Sequence, residues 1–345
     1  MEVDLPQLSI CIPTFNRAEM LSKTLDSIVL QKRFLESNDI EIIISDNFST
    51  DNTSHLVHEY IKKYPGKIIY NLNNENINDK NFATSLSLAS GNYLKLNNDT
   101  LMHLDGSLDY MIDHIVENKT KKITLLFTNG AAKKNTTEYH NFDLFIQNIS
   151  GYCTFAGCFG IWKTQFTSVE DFNRRSDWKL PHTDFLFRTF KANNVVCIKN
   201  KIIFNSLHPH KKGGYDLLRV FMENYIYLLR EQLESGLLTE NTYSTERKKV
   251  LIDFVRPWLL NIIFYPKLYT FTCENAFKRI FISYKNDYLL LSNFVIQFSL
   301  LSLRYFILKL LKLILPINIY SIIKISYLNL KDKFISALKI VAKSN

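Results

Sequence analysis

Short polar side chains stand where three apolar runs stop. Thr14 closes "LSICIPT", Asp46 closes "IEIIISD", and Asn97-Asn98-Asp99 follows "YLKL". Asn and Asp bond their own backbone and tolerate left-handed conformations, so an isolated N-N-D is an ordinary turn. The same oxygens suit a divalent cation, a hard ion that prefers oxygen ligands and bridges phosphates. Which reading holds depends on the elements that carry these residues.

Those elements alternate in type over the first two hundred residues. Residues 8–15, 40–46, 67–72 and 92–96 read as strands. Between them, apolar spacing of three and four predicts helices over 18–31, 54–64 and 81–90. Strand, helix, strand with short connections means βαβ units and a mainly parallel, Rossmann-like α/β sheet. Ligands of such sheets bind beyond the carboxyl ends of the strands, which is where Thr14, Asp46 and Asp99 fall. Past "HPHKKGGYD" the strand signals fade into long helical runs. The expected division is a domain over 1–214 and a helical, basic region over 215–345.

Hydrophobic residues make up 46% and charged residues 22% of the 345, which fits a folded chain and excludes a disordered one. Five scattered cysteines without C-x-x-C spacing imply neither a disulfide framework nor a zinc site. The first residues lack a basic n-region, so no cleaved signal and a reducing, cytoplasmic setting are expected. From Lys267 onward twelve Lys and Arg face three Asp and Glu, which accounts for the whole net charge of +9. The segment over 288–315 is strongly apolar but broken by Ser292, Asn293, Gln297, Ser299 and Ser302, then closed by Arg304. It falls short of the roughly 20 clean apolar residues of a span. Apolar helices with basic rims instead predict peripheral attachment to an anionic membrane surface. Packing on the first domain and a true span are the alternatives. Aliphatic richness argues against nucleic acid as the partner of this basic tail.

The quoted pieces, "LSICIPTFNRAEM", "EIIISDNFSTDNT" and "NENINDKNFATSLSLASGNYLKLNNDT", in this order over residues 7–210, resemble the family 2 glycosyltransferases. The variant Asp79-Lys80-Asn81 is most similar to bacterial O-antigen and capsule branches, including abequosyltransferase-like proteins. The resemblance implies a GT-A fold, inverting chemistry and a nucleotide-diphosphate sugar as donor. It places Pro13, Thr14, Asn16 and Arg17 around base, ribose or phosphate, and Asp46 on the base or ribose. Asn16 is equally placed to cap a helix, and Asp51 more simply shapes the turn and caps the next one. Asp79 or Asn81 would approach base or ribose and Lys80 the phosphates, unless Asp79 is an N-cap and Lys80 a solvated charge.

Asp99 would then hold Mg²⁺ or Mn²⁺ against the departing diphosphate, with Asn97 and Asn98 beside it. Asn97 stands where the family usually has an acid. His208 and His210 are further candidate ligands, or solvated residues of a basic loop. "LPHTDFLFRTF" resembles the segment that supplies the base, which puts Asp184 in that role and Asp177 second. The bland alternative is an acid stabilised in a helix's first turn. Asp99 and Asp184 are thus expected to face one cleft. "GYCTFAGCFGIWKTQF" would line the acceptor site through Gly157 and Trp162, although a lone Trp is more often core. The implied activity is sugar transfer to a glycan acceptor, lipid-linked, at the inner face of the cytoplasmic membrane. A non-catalytic sugar-nucleotide-binding or assembly subunit is the alternative from another class. A nucleotidyltransferase would want a glycine-rich phosphate loop, which "IPTFNRAEM" lacks.

Overall fold

The computed structural model describes residues 5–134, 137–191, 195–207 and 212–314. Its backbone forms two compact units, Met1–Val250 with Lys267–Glu274, and Leu251–Pro266 with the chain from Asn275 onward.

The first unit opens with β1 (Leu8–Thr14), α1 (Ala18–Val29), α2 (Lys32–Glu36), β2 (Ile40–Asp46), α3 (Thr53–Lys63), β3 (Ile68–Leu72), α4 (Lys80–Ser87) and β4 (Tyr93–Leu96). It continues through β5 (Leu101–His103), α5 (Ser107–Asn118), β6 (Thr124–Phe127), β7 (Thr137–Tyr139), α6 (Phe142–Ile149), β8 (Gly160–Trp162), α7 (Lys163–Ser168) and α8 (Pro181–Lys191). β9 (Val196–Lys199), β10 (Phe204–Ser206), β11 (Lys212–Asp216), α9 (Tyr225–Glu234) and α10 (Glu240–Lys249) follow. The second unit holds α11 (Arg256–Phe264), and after β12 (Tyr269–Thr272) come α12 (Ala276–Ser283) and α13 (Tyr288–Ile314).

The expected parallel sheet is present, with order β3-β2-β1-β4-β8 and only β8 antiparallel. β2 is buried along its whole length, which explains the Ile42–Ile44 run: both faces are covered, and its polar residues Glu41, Ser45 and Asp46 are all hydrogen-bonded. Ile10, Ile12, Ile42 and Ile44 of the sheet pack with Leu21, Leu25 and Ile28 of α1 in the core. The strand order reverses beside β1, since β2 and β3 lie on one side and β4 on the other. A reversal of this kind opens a crevice at the carboxyl ends of the two strands. Thr14 ends β1 there, and Asn97 N–H donates to the Cys11 carbonyl as the chain leaves β4.

A second sheet, β6-β9-β7, meets the first at a buried hydroxyl. Tyr93 Oη donates to the Leu125 carbonyl at 2.6 Å and accepts from the Leu125 N–H at 2.8 Å. Its ring meets Trp162 edge-on at 5.0 Å. Trp162 is 0% exposed and its Nε1 donates to the Ile123 carbonyl, so it is core and leaves the acceptor site expected of it. Gly157 is buried too. A Cβ there would lie 2.6 Å from Leu101 and 2.7 Å from Phe155, so its smallness serves packing.

The division expected at residue 214 is also corrected. The compact unit extends through α9 and α10 to Val250, and β12 returns to pair with β11. In the second unit, α13 runs unbroken through the serines and Asn293 that argued against a span. Its Tyr288–Leu311 stretch is long and apolar enough to cross a bilayer by length and composition.

Because Tyr93 Oη satisfies both polar groups of Leu125, Tyr93→Phe leaves a buried N–H and C=O without partners. The expected cost is about 1–3 kcal/mol in urea unfolding. A loss below about 0.5 kcal/mol would show that the two sheets do not depend on this hydroxyl.

Candidate active site

At the crevice, Asp99 is 2% exposed and held on both oxygens. Oδ2 accepts from Thr14 Oγ1 at 3.0 Å and Oδ1 from Arg17 Nη1 at 2.9 Å. Its backbone carbonyl accepts from Thr24 Oγ1 of α1 at 2.9 Å. Burial pushes the carboxyl above its ordinary range, while the Arg17 guanidinium and Thr14 hydroxyl pull the other way. Arg17 itself keeps 47% of its side chain exposed, so a cation stands at the mouth of the crevice.

Two loops are laced together above this point. Asn16, at φ 51°, donates its N–H to Ser49 Oγ at 2.8 Å and accepts the Thr50 N–H on Oδ1 at 2.7 Å. It therefore does not cap α1, whose N-cap position is Arg17. Asp51 accepts the N–H of Ala18, the first residue of α1, at 2.9 Å and the N–H of Thr53 at 3.1 Å, while the N-cap position of α3 is Asn52. Burial works against its charge, but these donors hold its carboxyl below the usual range. Pro13 is partly buried within β1, opposite Ser45.

Several residues expected to touch donor are committed elsewhere. Asp46 is 0% exposed, with Oδ1 taken by the Ser49 N–H and Oδ2 by Tyr70 Oη, both at 2.8 Å. Asn81, 3% exposed, accepts from Ser45 Oγ and Asn73 Nδ2 and donates to the Ser45 carbonyl. It is a strut between α4 and β2, not a ligand. Asn97 is turned inward, its Oδ1 bonded to His103 Nε2 at 3.0 Å. Burial and then Lys95 press the His103 pKa down to about 3, so that ring is neutral and donates to the amide oxygen. Asn98 is half-buried and its carbonyl accepts from Asn97 Nδ2. Asp79 pairs with Lys179 at 3.0 Å, and Lys80 is exposed at the start of α4. Asp79 does occupy the N-cap position, without a side-chain cap bond.

The largest correction concerns Asp184. Oδ1 accepts from Arg174 at 2.7 Å and Arg175 at 3.3 Å, and Oδ2 from Arg188 Nε at 3.0 Å. Arg175 also forms two bonds with Glu231, at 2.5 and 2.6 Å. A carboxylate that is 2% exposed and ringed by three guanidiniums orders the loop before α8, with both of its oxygens engaged. Asp99 and Asp184 therefore do not confront each other as two open carboxylates. Asp177, the second candidate, is exposed.

A divalent cation does not fit this donor set as it stands. The one carboxylate at the crevice has both oxygens engaged, one of them by a cation, and the neighbouring amide serves His103. Among the described residues no group of three or more His, Cys, Asp and Glu could hold a metal. His208 and His210 lie outside the described residues. Two surface hollows of about 280 and 460 Å³ flank α1 and include neither Asp99 nor Asp184.

The sequence did not single out Arg174, Lys179, Tyr70 or His103, whose partners lie 10 to 100 residues away or only become visible once buried. The doubled arginine ahead of Asp184 was the one available signal.

Comparison with known proteins adds to this geometry. The family model described as Glycosyl transferase family 2 matches residues 9–193. The Campylobacter jejuni GalNAc(5)-diNAcBac-PP-undecaprenol beta-1,3-glucosyltransferase is 34% identical over 237 residues, covering 65% of this chain and 68% of that protein. The abequosyltransferase RfbV of Salmonella typhimurium is 47% identical over 87 residues, 25% of this chain, and the match spans only 26% of RfbV. Staphylococcus aureus TarS 1-349 shares the fold with a TM-score of 0.54 and 16% identity, over 75% of this chain and 74% of that one.

Asp184→Asn removes the charge that three arginines share. It is expected to lower stability by about 2–3 kcal/mol in urea unfolding, the buried-pair cost reduced because Arg174 is half exposed. An unchanged midpoint would return Asp184 to the list of groups free to do chemistry.

Proposed function

Because the chain belongs to glycosyl transferase family 2, it is a glycosyltransferase with a GT-A fold, and we propose that it transfers a sugar, with inversion, from a nucleotide-diphosphate donor to a lipid-linked glycan during bacterial surface-polysaccharide synthesis. The observation that carries the donor half is the Thr14–Asp99–Arg17 cluster at the strand-order reversal. A half-exposed guanidinium whose partner is buried behind it is pre-aimed, and guanidinium pairs well with phosphate oxygens. The α4 N-terminus adds Lys80. As the acceptor oxygen attacks the anomeric carbon and the C–O bond to diphosphate breaks, charge grows on the leaving group where these cations stand. No step of this account passes through a metal. Release measured with Mg²⁺, with Mn²⁺ and with chelator reads metal use separately.

The acceptor half rests on the second unit and on the name of the Campylobacter relative, which includes an undecaprenol-linked diphosphate glycan. In α13, Leu289, Ile296, Leu300, Leu303, Ile307 and Leu310 are exposed at spacings of seven, four, three, four and three, a single apolar stripe. Phe281 and Ile282 of α12 are exposed as well. Apolar helices with basic companions such as Arg304 and Lys309 suit the surface of an anionic bilayer, close to a tethered acceptor.

Two outcomes are expected. In a panel of UDP-, GDP-, dTDP- and CDP-sugars, one donor yields free nucleoside diphosphate, and Arg17→Ala slows that release by about 10²-fold; a fully active Arg17→Ala would remove Arg17 from the donor site. The full chain floats with anionic but not neutral vesicles, and Ile296→Glu with Leu300→Glu and Leu303→Glu stays at the bottom of the gradient. Flotation unaffected by the triple substitution would contradict the surface reading, and resistance of the wild type to alkaline extraction would favour a span.

A further inference from the structure

The loops that follow β1, β2 and β3 each contain a residue in the left-handed region: Asn16 at φ 51°, Phe48 at φ 70° and Asn78 at φ 53°. Asparagine tolerates that conformation, because its short polar side chain bonds nearby backbone. A bulky aromatic does not, and its presence there costs stability. Packing does not offset the cost. Phe48 is 49% exposed and lies outside the hydrophobic core that β1, β2 and α1 share. The turn does not need the ring either. Asp46 Oδ1 accepts the Ser49 N–H at 2.8 Å, and Asn47 Oδ1 accepts the Ile77 N–H at 2.9 Å. An asparagine at 48 would serve the backbone as it does at 16 and 78.

The place of this ring in the fold is specific. On one side, the bonds of Asn16 to Ser49 and Thr50 tie its loop to the one that carries Phe15, 41% exposed, and Arg17. On the other side, Asn47 Nδ2 donates to Asn76 Oδ1 at 2.7 Å and fastens the loop after β3. Because β2, β1 and β4 lie side by side, the Phe48 loop, the Arg17 loop and the Asp99 turn follow one another along the carboxyl ends. Adjacent strands are about 5 Å apart, so one small molecule can span all three. A ligand with an aromatic ring at one end and a diphosphate at the other matches that order. Asp46 and Asn81, expected at the edge of the base, are bonded within the protein. What the loops leave open is a surface for the face of the base.

We infer that Phe48 is the platform on which the nucleobase of the donor stacks, a binding residue that takes no part in bond making. The inference rests on the glycosyl-transfer reading above and extends its donor site from the diphosphate to the base. Every base has a π-face, so stacking supplies affinity without reading hydrogen-bonding edges. The left-handed turn keeps the ring out of the core and open before any ligand arrives. Strain of this kind is retained where a site needs a side chain displayed. The ring then covers apolar surface only when the base lies on it.

The test uses the full chain, the nucleoside diphosphate that the wild type releases, and inorganic pyrophosphate, each titrated by calorimetry. Phe48→Asn is expected to weaken the nucleoside diphosphate by about 10- to 100-fold, with pyrophosphate unchanged within about 3-fold. Arg17→Ala weakens both ligands. Phe48→Tyr, which keeps a ring, binds like the wild type, whereas Phe48→Leu, apolar without a ring, behaves like Phe48→Asn. In turnover, the donor KM of Phe48→Asn rises by more than its kcat falls. Its urea midpoint is equal to or above that of the wild type, because the strained ring is gone. Nucleoside diphosphate affinity of Phe48→Asn within about 3-fold of wild type overturns the inference. So does pyrophosphate affinity that falls in step, or a lower urea midpoint, which would make the ring a packing element. A wild type that releases diphosphate from no donor contradicts the functional reading itself. An active wild type with a tightly binding Phe48→Asn contradicts only the role of Phe48.

Discussion

A carboxylate buried at the point where a parallel sheet reverses its strand order organises this molecule. Asp99 cannot remain ionised there unless it is paired and hydrogen-bonded. Thr14 from the end of β1 and Arg17 from the start of α1 meet that requirement, and Thr24 fastens the same residue's carbonyl to α1. The demand of one buried charge thereby fixes the relative positions of β1, α1 and the turn after β4. It also leaves a guanidinium facing outward at the crevice. A binding-competent cation is the by-product of satisfying a structural need, which makes the site rigid before any ligand arrives.

The same logic recurs around it. Asp46, Asp51, Asn81 and Asn97 each close a loop with local or near-sheet donors, so the rim of the crevice is an ordered network of amides, hydroxyls and carboxylates. Asp184 performs the equivalent service for the loop before α8, where three arginines would otherwise repel one another. Polar residues at the strand ends thus divide into a few that face outward and many that hold those few in place.

This division decides how much was legible in the sequence. The strands and helices from β1 to β4 were, α2 apart, because β-branched runs such as 40–46 and three-four spacing such as 18–31 report burial directly. The ordered set of strand-end motifs was legible for the same reason, and with it the family. What side chains at those ends bond to was not, since Tyr70, Lys179 and Arg174 reach their partners across 24, 100 and 10 residues. Trp162 and Gly157 have types that suit a sugar site equally well as a core, and only burial separates the two. Ser292, Asn293 and Ser299 looked like interruptions of an apolar run, yet a helix tolerates them without breaking.

The central claim is that the nucleoside diphosphate of the donor sits at the carboxyl ends of β1 and β4 with Arg17 as its cation. A crystal structure of the full chain soaked with the nucleoside diphosphate that it releases tests this most directly. The account predicts density in the crevice beside Thr14 and Asp99, with phosphate oxygens within hydrogen-bond reach of Arg17. Ordered diphosphate bound elsewhere on the sheet, with Arg17 still paired to Asp99 and the crevice empty, would contradict it.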